Sequence, residues 1–218
     1  GLFHLFSPIE IHGREHIPVK GPYVVAINHV STYDPPFALA FWPRPLEALG
    51  AVEIWSRPGQ STLVRLYGGI QVHRGEYDRQ MVRAALAALR AGYPILIAPE
   101  GGRTHQPGLR QALPGIAYLL DKASQPSPVP VIPVGIMGAL DDYIDQALHA
   151  RRPPLLMHVG APLYLPALPS HNPERRLALQ ANTDLIMQHI AALLPSNYRG
   201  VYADTSSHLT GSPRISGT

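Results

Sequence analysis

The chain has no cysteine, almost no lysine and no long unbroken apolar run, and each lack closes off a kind of protein. Without cysteine there are no disulfides, no thiolate-ligated zinc and no cysteine acyl-enzyme. Lys20 and Lys122 are the only lysines among 18 basic residues, so positive charge is carried by arginine, whose forked N–H donors match phosphate and carboxylate; a GC-rich gene gives the same bias without functional cause. The formal net charge of +3 is spread along the chain with no basic stripe, which argues against a nucleic-acid partner. The longest uncharged mid-chain stretch, ASQPSPVPVIPVGIMGAL at 123–140, is broken by four prolines, and such a run does not make a spanning helix. Neither a transmembrane segment nor a signal peptide is expected. GLFHLF opens at Gly1 without a Met, the pattern of a processed or trimmed N-terminus, with any membrane anchor lying ahead of it. Of eleven histidines, His12 and His16 have helical spacing but precede Ile17-Pro18 and have no matching ligand cluster, so no metal is expected.

What is there fits one domain, since 218 residues suffice for a single substantial core. Short apolar runs alternate with helical patterns. YVVAI (23–27) leads to a helix from about Pro35, LEALGA (46–51) to a helix at 58–67, GIQVH (69–73) to a helix at 76–91, and PILIA (94–98) to a helix near 113–123. VPVIPVGI (129–136) leads to a helix near 140–150, and LLMHVG (155–160) to a long helix at 173–194. Alternation of this kind predicts an α/β fold, a mainly parallel sheet flanked by helices. The expected domain is 1–195, and 196–218 reads as a polar C-terminal tail, loosely ordered or docked as an extended arm.

Open α/β sheets place their sites at strand ends, and the chemistry-bearing residues fall there. INHVSTYDPP (27–36) sets His29 and Asp34 five apart on a strand-to-helix turn, where Asp34 can cap and Pro35 and Pro36 suit a first helical turn. GIQVH delivers His73, Arg74 and Gly75, and PILIA delivers PEGGRT (99–104). The two glycines allow close backbone approach, so this loop can cradle a phosphate; equally it reads as a turn closed by a Glu100–Arg103 surface bridge worth about 0–1 kcal/mol.

Set in order, these stretches resemble the glycerolipid acyltransferases of the 1-acylglycerol-3-phosphate acyltransferase (lysophosphatidic acid acyltransferase) kind. NHVSTYD matches their NHxSxxD signature, GGIQVHR resembles the second block, APEGGRT is similar to the PEGTRS-type third block, and VIPVGI looks like the fourth, all over 13–136 with HGREHIPVKGPYVVA as the approach. The resemblance implies a glycerol-3-phosphate acyltransferase-like fold. It also implies transfer of an acyl group from acyl-CoA or acyl carrier protein to a lysophospholipid hydroxyl, most simply 1-acylglycerol-3-phosphate to phosphatidate, with no bound cofactor. It makes His29 and Asp34 catalytic, and Arg74, Glu100, Gly101 and Arg103 substrate-binding. Gly102, Thr104 and Ala98 depart from the usual Thr, Ser and Phe, and the departures bear on acceptor identity. The hydrophobic N-terminal helices of many relatives are missing or shortened.

On this reading His29 takes the proton of the attacking hydroxyl, and Asp34 fixes its tautomer and stabilises the imidazolium. A carboxylate repels phosphate, so Glu100 is expected to orient Arg103 or a hydroxyl. The alternatives are transfer to another lysolipid or to glycerol phosphate, Ser31 as a nucleophile without a G-x-S-x-G elbow, and a non-catalytic lipid-binding protein. Peripheral contact with the cytoplasmic face of the membrane is expected through Phe41, Trp42 and Arg44 of PPFALAFWPRP (35–45), as aromatic rings and a cation at headgroup level.

Overall fold

Runs as apolar and β-branched as VVAI and VIPV are stable only where both faces of a strand are covered. The computed structural model describes residues 2–58, 60–73, 75, 78–149 and 151–204. The chain passes through α1 (Leu2–Phe6), β1 (Ile9–His12), β2 (Val24–Ile27), α2 (Asp34–Phe41), β3 (Glu47–Ala51), α3 (Gln60–Tyr67) and β4 (Ile70–Val72). It continues with α4 (Arg79–Arg90), β5 (Ile95–Ile97), α5 (Gly115–Ala123), β6 (Val131–Met137), α6 (Tyr143–Leu148), β7 (Leu155–Val159) and α7 (Glu174–Ala192). One seven-stranded sheet has the order β1-β7-β6-β2-β5-β3-β4. From β6 to β4 every pairing is parallel, while β7 runs antiparallel to β6 and carries β1 parallel to itself. The fold is therefore a single α/β domain on a mostly parallel sheet, as expected.

The two faces are visible on β2. Val24 and Ala26 pack with Ala85, Leu89, Ile116, Leu120, Ile186 and Ile190 of α4, α5 and α7, whereas Tyr23, Val25 and Ile27 pack with Phe37, Ala38, Trp42 and Tyr143. Each such aliphatic or aromatic side chain contributes about 1.5–3 kcal/mol by leaving water. All seven residues of β6 are buried, even Pro133. Its carbonyl accepts from Gly160 N–H at 2.8 Å, at the rung before the ladder between β6 and β7 begins at Val134, so the missing N–H falls at the end of that ladder and spares the β2 side. Gly135 lets the end of α7 lie against the sheet, since a Cβ there would meet Leu194 Cδ2 at 3.0 Å.

The helix expected over 76–91 is described from Arg79, with Asp78 as its cap accepting from Met81 N–H; Glu76 and Tyr77 lie outside the described residues. The sequence pattern offers no counterpart for β1, or for α1, whose Phe3 packs against Phe37 at 5.5 Å and Tyr143 at 6.2 Å between ring centroids. Among the described residues no helix is long and apolar enough to cross a membrane. Of the expected tail, 196–204 docks in two 3-10 turns rather than as an extended arm, burying Tyr198 and Tyr202 in the core; residues 205–218 lie outside the described residues.

Trp42 corrects the expectation of an aromatic tip. Helix α2 ends at Phe41, and the backbone at Trp42 is extended, which turns its ring back under the sheet instead of along the helix. Trp42 is 7 % exposed and donates its indole N–H to Tyr23 Oη at 3.0 Å. Arg44 donates to the carbonyls of Gly21 and Gly92 and lies 5.5 Å over the Tyr23 ring. Both residues serve the fold, and Phe41 packs on Phe3 and His4.

Candidate active site

At the carboxyl end of β2 the chain stops pairing as a strand, and side chains take over the ladder. Asn28, buried, accepts from Ile136 N–H through Oδ1 at 2.7 Å and donates through Nδ2 to Ile136 O at 2.9 Å, which ties the turn to β6. The next residue is His29. Its main-chain N–H donates to Glu100 Oε1 at 2.9 Å, and its carbonyl accepts from Thr104 N–H at 2.9 Å. The backbone of the histidine is thus gripped from the loop that follows β5.

The side chain of His29 is 14 % exposed, and its Nδ1 lies 3.2 Å from Oδ2 of Asp34, which is 1 % exposed. Asp34 opens α2 and its Oδ2 also accepts from Ser31 N–H at 2.7 Å. Burial pushes the Asp34 carboxyl above its ordinary value, against the pull of the His29 hydrogen bond and the Ser31 and Val30 N–H groups. An acceptor-only carboxylate at Nδ1 assigns the ring proton to that nitrogen and leaves the lone pair on Nε2. Ser31 does not compete as a nucleophile: it is fully buried and its Oγ accepts from Tyr33 N–H at 3.1 Å, closing the turn.

Glu100 differs from the expected role. Its carboxylate, 3 % exposed, accepts from His29 N–H on one oxygen and from Arg110 N–H on the other at 3.1 Å, while Arg110 Nη2 donates to the Glu100 carbonyl at 2.8 Å. It therefore neither faces a substrate nor orients Arg103. Burial raises its carboxyl above the ordinary value. Gly101 has φ +68°, where a Cβ would also stand 2.8 Å from Leu113 Cδ1, so the sharp turn there requires glycine.

Arg103 is 26 % exposed and its Nη1 lies 3.4 Å from Oδ1 of Asp141, whose other oxygen is 2.7 Å from His105 Nδ1. At the end of β4, Asp78 takes both the N–H and the Nδ1 of His73, at 3.0 and 2.9 Å; the Met81 and His73 N–H groups hold its carboxyl well below the usual range. Arg74 lies outside the described residues. Among those described, no cluster of histidine and carboxylate side chains could hold a metal ion. The structure thus brings together His29, Asp34 and the 100–105 loop. Sequence reasoning missed Asn28, His105, Arg110 and Asp141; Asn28 alone had a signal, as the first letter of NHVSTYD.

Residues 8–137, more than half of the chain, match the Acyltransferase family. The chain belongs to that family. Over 138 residues it is 25 % identical to the 1-acyl-sn-glycerol-3-phosphate acyltransferase alpha of Homo sapiens, covering 62 % of this chain and 47 % of the relative. The Bos taurus protein of the same name matches at 25 % over 138 residues, with 62 % and 46 % covered. The chain spans about half the length of the curated relatives it matches. Among solved structures, the 1-acyl-sn-glycerophosphate (LPA) acyltransferase PlsC from Thermotoga maritima superposes with a TM-score of 0.59 at 23 % identity, covering 84 % of this chain and 73 % of that one. That likeness is one of fold.

Proposed function

We propose that the protein moves a fatty acyl group from an acyl thioester, acyl-CoA or acyl carrier protein, to the hydroxyl of a lysophospholipid, with 1-acylglycerol-3-phosphate as acceptor and phosphatidate as product. The observation that carries this reading is His29, with Nδ1 on a buried carboxylate and its side chain 14 % exposed at the strand-end turn. The acceptor hydroxyl gives its proton to Nε2 as its oxygen attacks the thioester carbonyl carbon. When the tetrahedral species collapses, the C–S bond breaks and the thiolate takes the proton back from Nε2. The negative charge of Asp34 stabilises the imidazolium between the two transfers. Arg103 would hold the acceptor phosphate with parallel N–H donors, and Gly101 shapes the loop for it; Arg74, one residue beyond His73, is assigned to the same phosphate. Such acceptors live in a bilayer, so the reading includes peripheral contact with the cytoplasmic leaflet, made by a surface other than Trp42.

Incubation with labelled acyl-CoA and a panel of acceptors tests it, with free thiol and acylated product as readouts. Thiol release matched by phosphatidate from lysophosphatidate is the expected result. Product from another lysolipid or glycerol phosphate alone would move the acceptor assignment. No thiol release with any acceptor would turn the protein into a lipid binder.

A further inference from the structure

We propose that His105 and Asp141 complete the acceptor site, Asp141 bracing both His105 and Arg103 so that imidazole and guanidinium together take the acceptor's phosphate monoester. This rests on the acyl-transfer reading and adds two residues to it. Asp141 stands on the turn between β6 and α6 and reaches both side chains, with Oδ2 at 2.7 Å from His105 Nδ1 and Oδ1 at 3.4 Å from Arg103 Nη1. The arrangement at His105 repeats the one at His29: a carboxylate occupies Nδ1 and fixes the ring, and the Nε2 edge remains on a side chain 56 % exposed. With Nδ1–H on Asp141, Nε2 offers a phosphate an N–H when the ring binds it as the imidazolium, and that donor beside the Arg103 fork suits a tetrahedral oxyanion.

Two features tie the pair to the reaction. Thr104 N–H donates to His29 O and His105 N–H to Val30 O, each at 2.9 Å, so the loop carrying both donors is keyed in register to the turn that carries the base. An acceptor whose reacting hydroxyl and phosphate sit on one glycerol needs such a fixed offset between base and phosphate site. His105 also has φ +64°, a conformation costly for any residue with a Cβ, whereas Gly101 and Gly108 fill the other positive-φ positions of the loop. His105 carries this strain at the position where Asp141 holds its ring.

The experiment uses His105→Gly, which removes the imidazole while suiting the backbone, and Asp141→Asn. Both are assayed for kcat and KM with three substrates varied in turn: lysophosphatidate, acyl-CoA and a monoacylglycerol without phosphate. Each variant should raise KM for the phosphate-bearing acceptor about tenfold, the loss of one charged hydrogen bond, with kcat, acyl-CoA KM and monoacylglycerol KM little changed. His105→Gln, which restores a neutral N–H donor, should recover part of the loss. An unchanged acceptor KM in both variants overturns the proposal, and a rise in acyl-CoA KM instead overturns it by assigning the cluster to the donor's phosphates. Titration with inorganic phosphate needs no turnover: weaker binding by His105→Gly than by wild type supports the site even if no transfer occurs, in which case the proposed function fails and this site stands. Equal binding sinks it.

Discussion

His29 is held by its main chain as firmly as by its ring, and the two kinds of contact predict different consequences. Replacing His29 by Ala leaves the N–H to Glu100 and the carbonyl to Thr104 in place. Transfer should therefore fall by about 10²–10⁴ while the thermal midpoint stays near wild type; retained turnover would remove the general-base mechanism. Asp34→Asn should cost a similar factor. Ser31 N–H and His29 Nδ1 meet the same Asp34 oxygen, so an amide oxygen there can still hold the ring, and what the variant loses is the negative charge that stabilises the imidazolium. Glu100 makes a prediction about pH. Because burial raises its carboxyl above the ordinary 4.5, the folded state holds that proton more tightly than the unfolded chain. Its contribution to stability is full below that value and is lost as pH rises through the raised one. Glu100→Gln should flatten this decline in urea melts run upward from the ordinary carboxylate range; parallel curves would place the burial cost elsewhere.

At the scale of elements, the turn after α2 is the place where pattern and packing part. A tryptophan beside a proline and an arginine looks like an interfacial anchor, yet this one fills the space beneath Tyr23. Trp42→Ala should destabilise the protein by about 3–5 kcal/mol, the range for deleting a large buried aromatic, measured by urea denaturation; a cost under about 1 kcal/mol would return the ring to the surface. The central strands were legible because VVAI, ILI and VIPVGIM are apolar throughout, and α4 because its polar and apolar residues recur at helical spacing. Strand β1 was not, since IEIH is four residues long and its partner is β7, far away in sequence. In the site, the His29–Asp34 pair was legible from local spacing. The Asp141 contacts were not, because a carboxylate in a GALDD turn reads as a cap for the following helix. The role of Glu100 was hidden for another reason: its partners are backbone N–H groups, on which sequence is silent.

Seen whole, the molecule closes on its reactive edge with residues beyond α7. Tyr198 O accepts from Leu109 N–H and Val201 N–H donates to Leu109 O, both at 3.0 Å. Tyr202 Oη donates to Asp184 at 2.8 Å and accepts from Ala112 N–H at 3.3 Å. These contacts clamp the loop whose Arg110 N–H reaches Glu100 and, through it, His29. Ending the chain after Pro195 should lower stability by at least the loss of one large buried aromatic, about 3–5 kcal/mol. It should also depress kcat at temperatures where the shortened protein is still folded; full activity there would show that the clamp serves stability alone.

The pairing of β1 with β7 sets a clock for synthesis. Ile9 and Ile11 align in the sheet with Leu155 and Met157, and among the described residues β1 has no other strand beside it. At ribosomal speeds of about 5–20 residues per second, roughly 7–30 s pass between the emergence of β1 and that of its partner. During that interval the alternating apolar residues of IEIH have nothing to pair with, while β2, β3, β4 and β5 can already meet one another. Of the strands described, the edge made earliest is thus the last to be sealed, and the nascent chain carries an open hem until β7 is made.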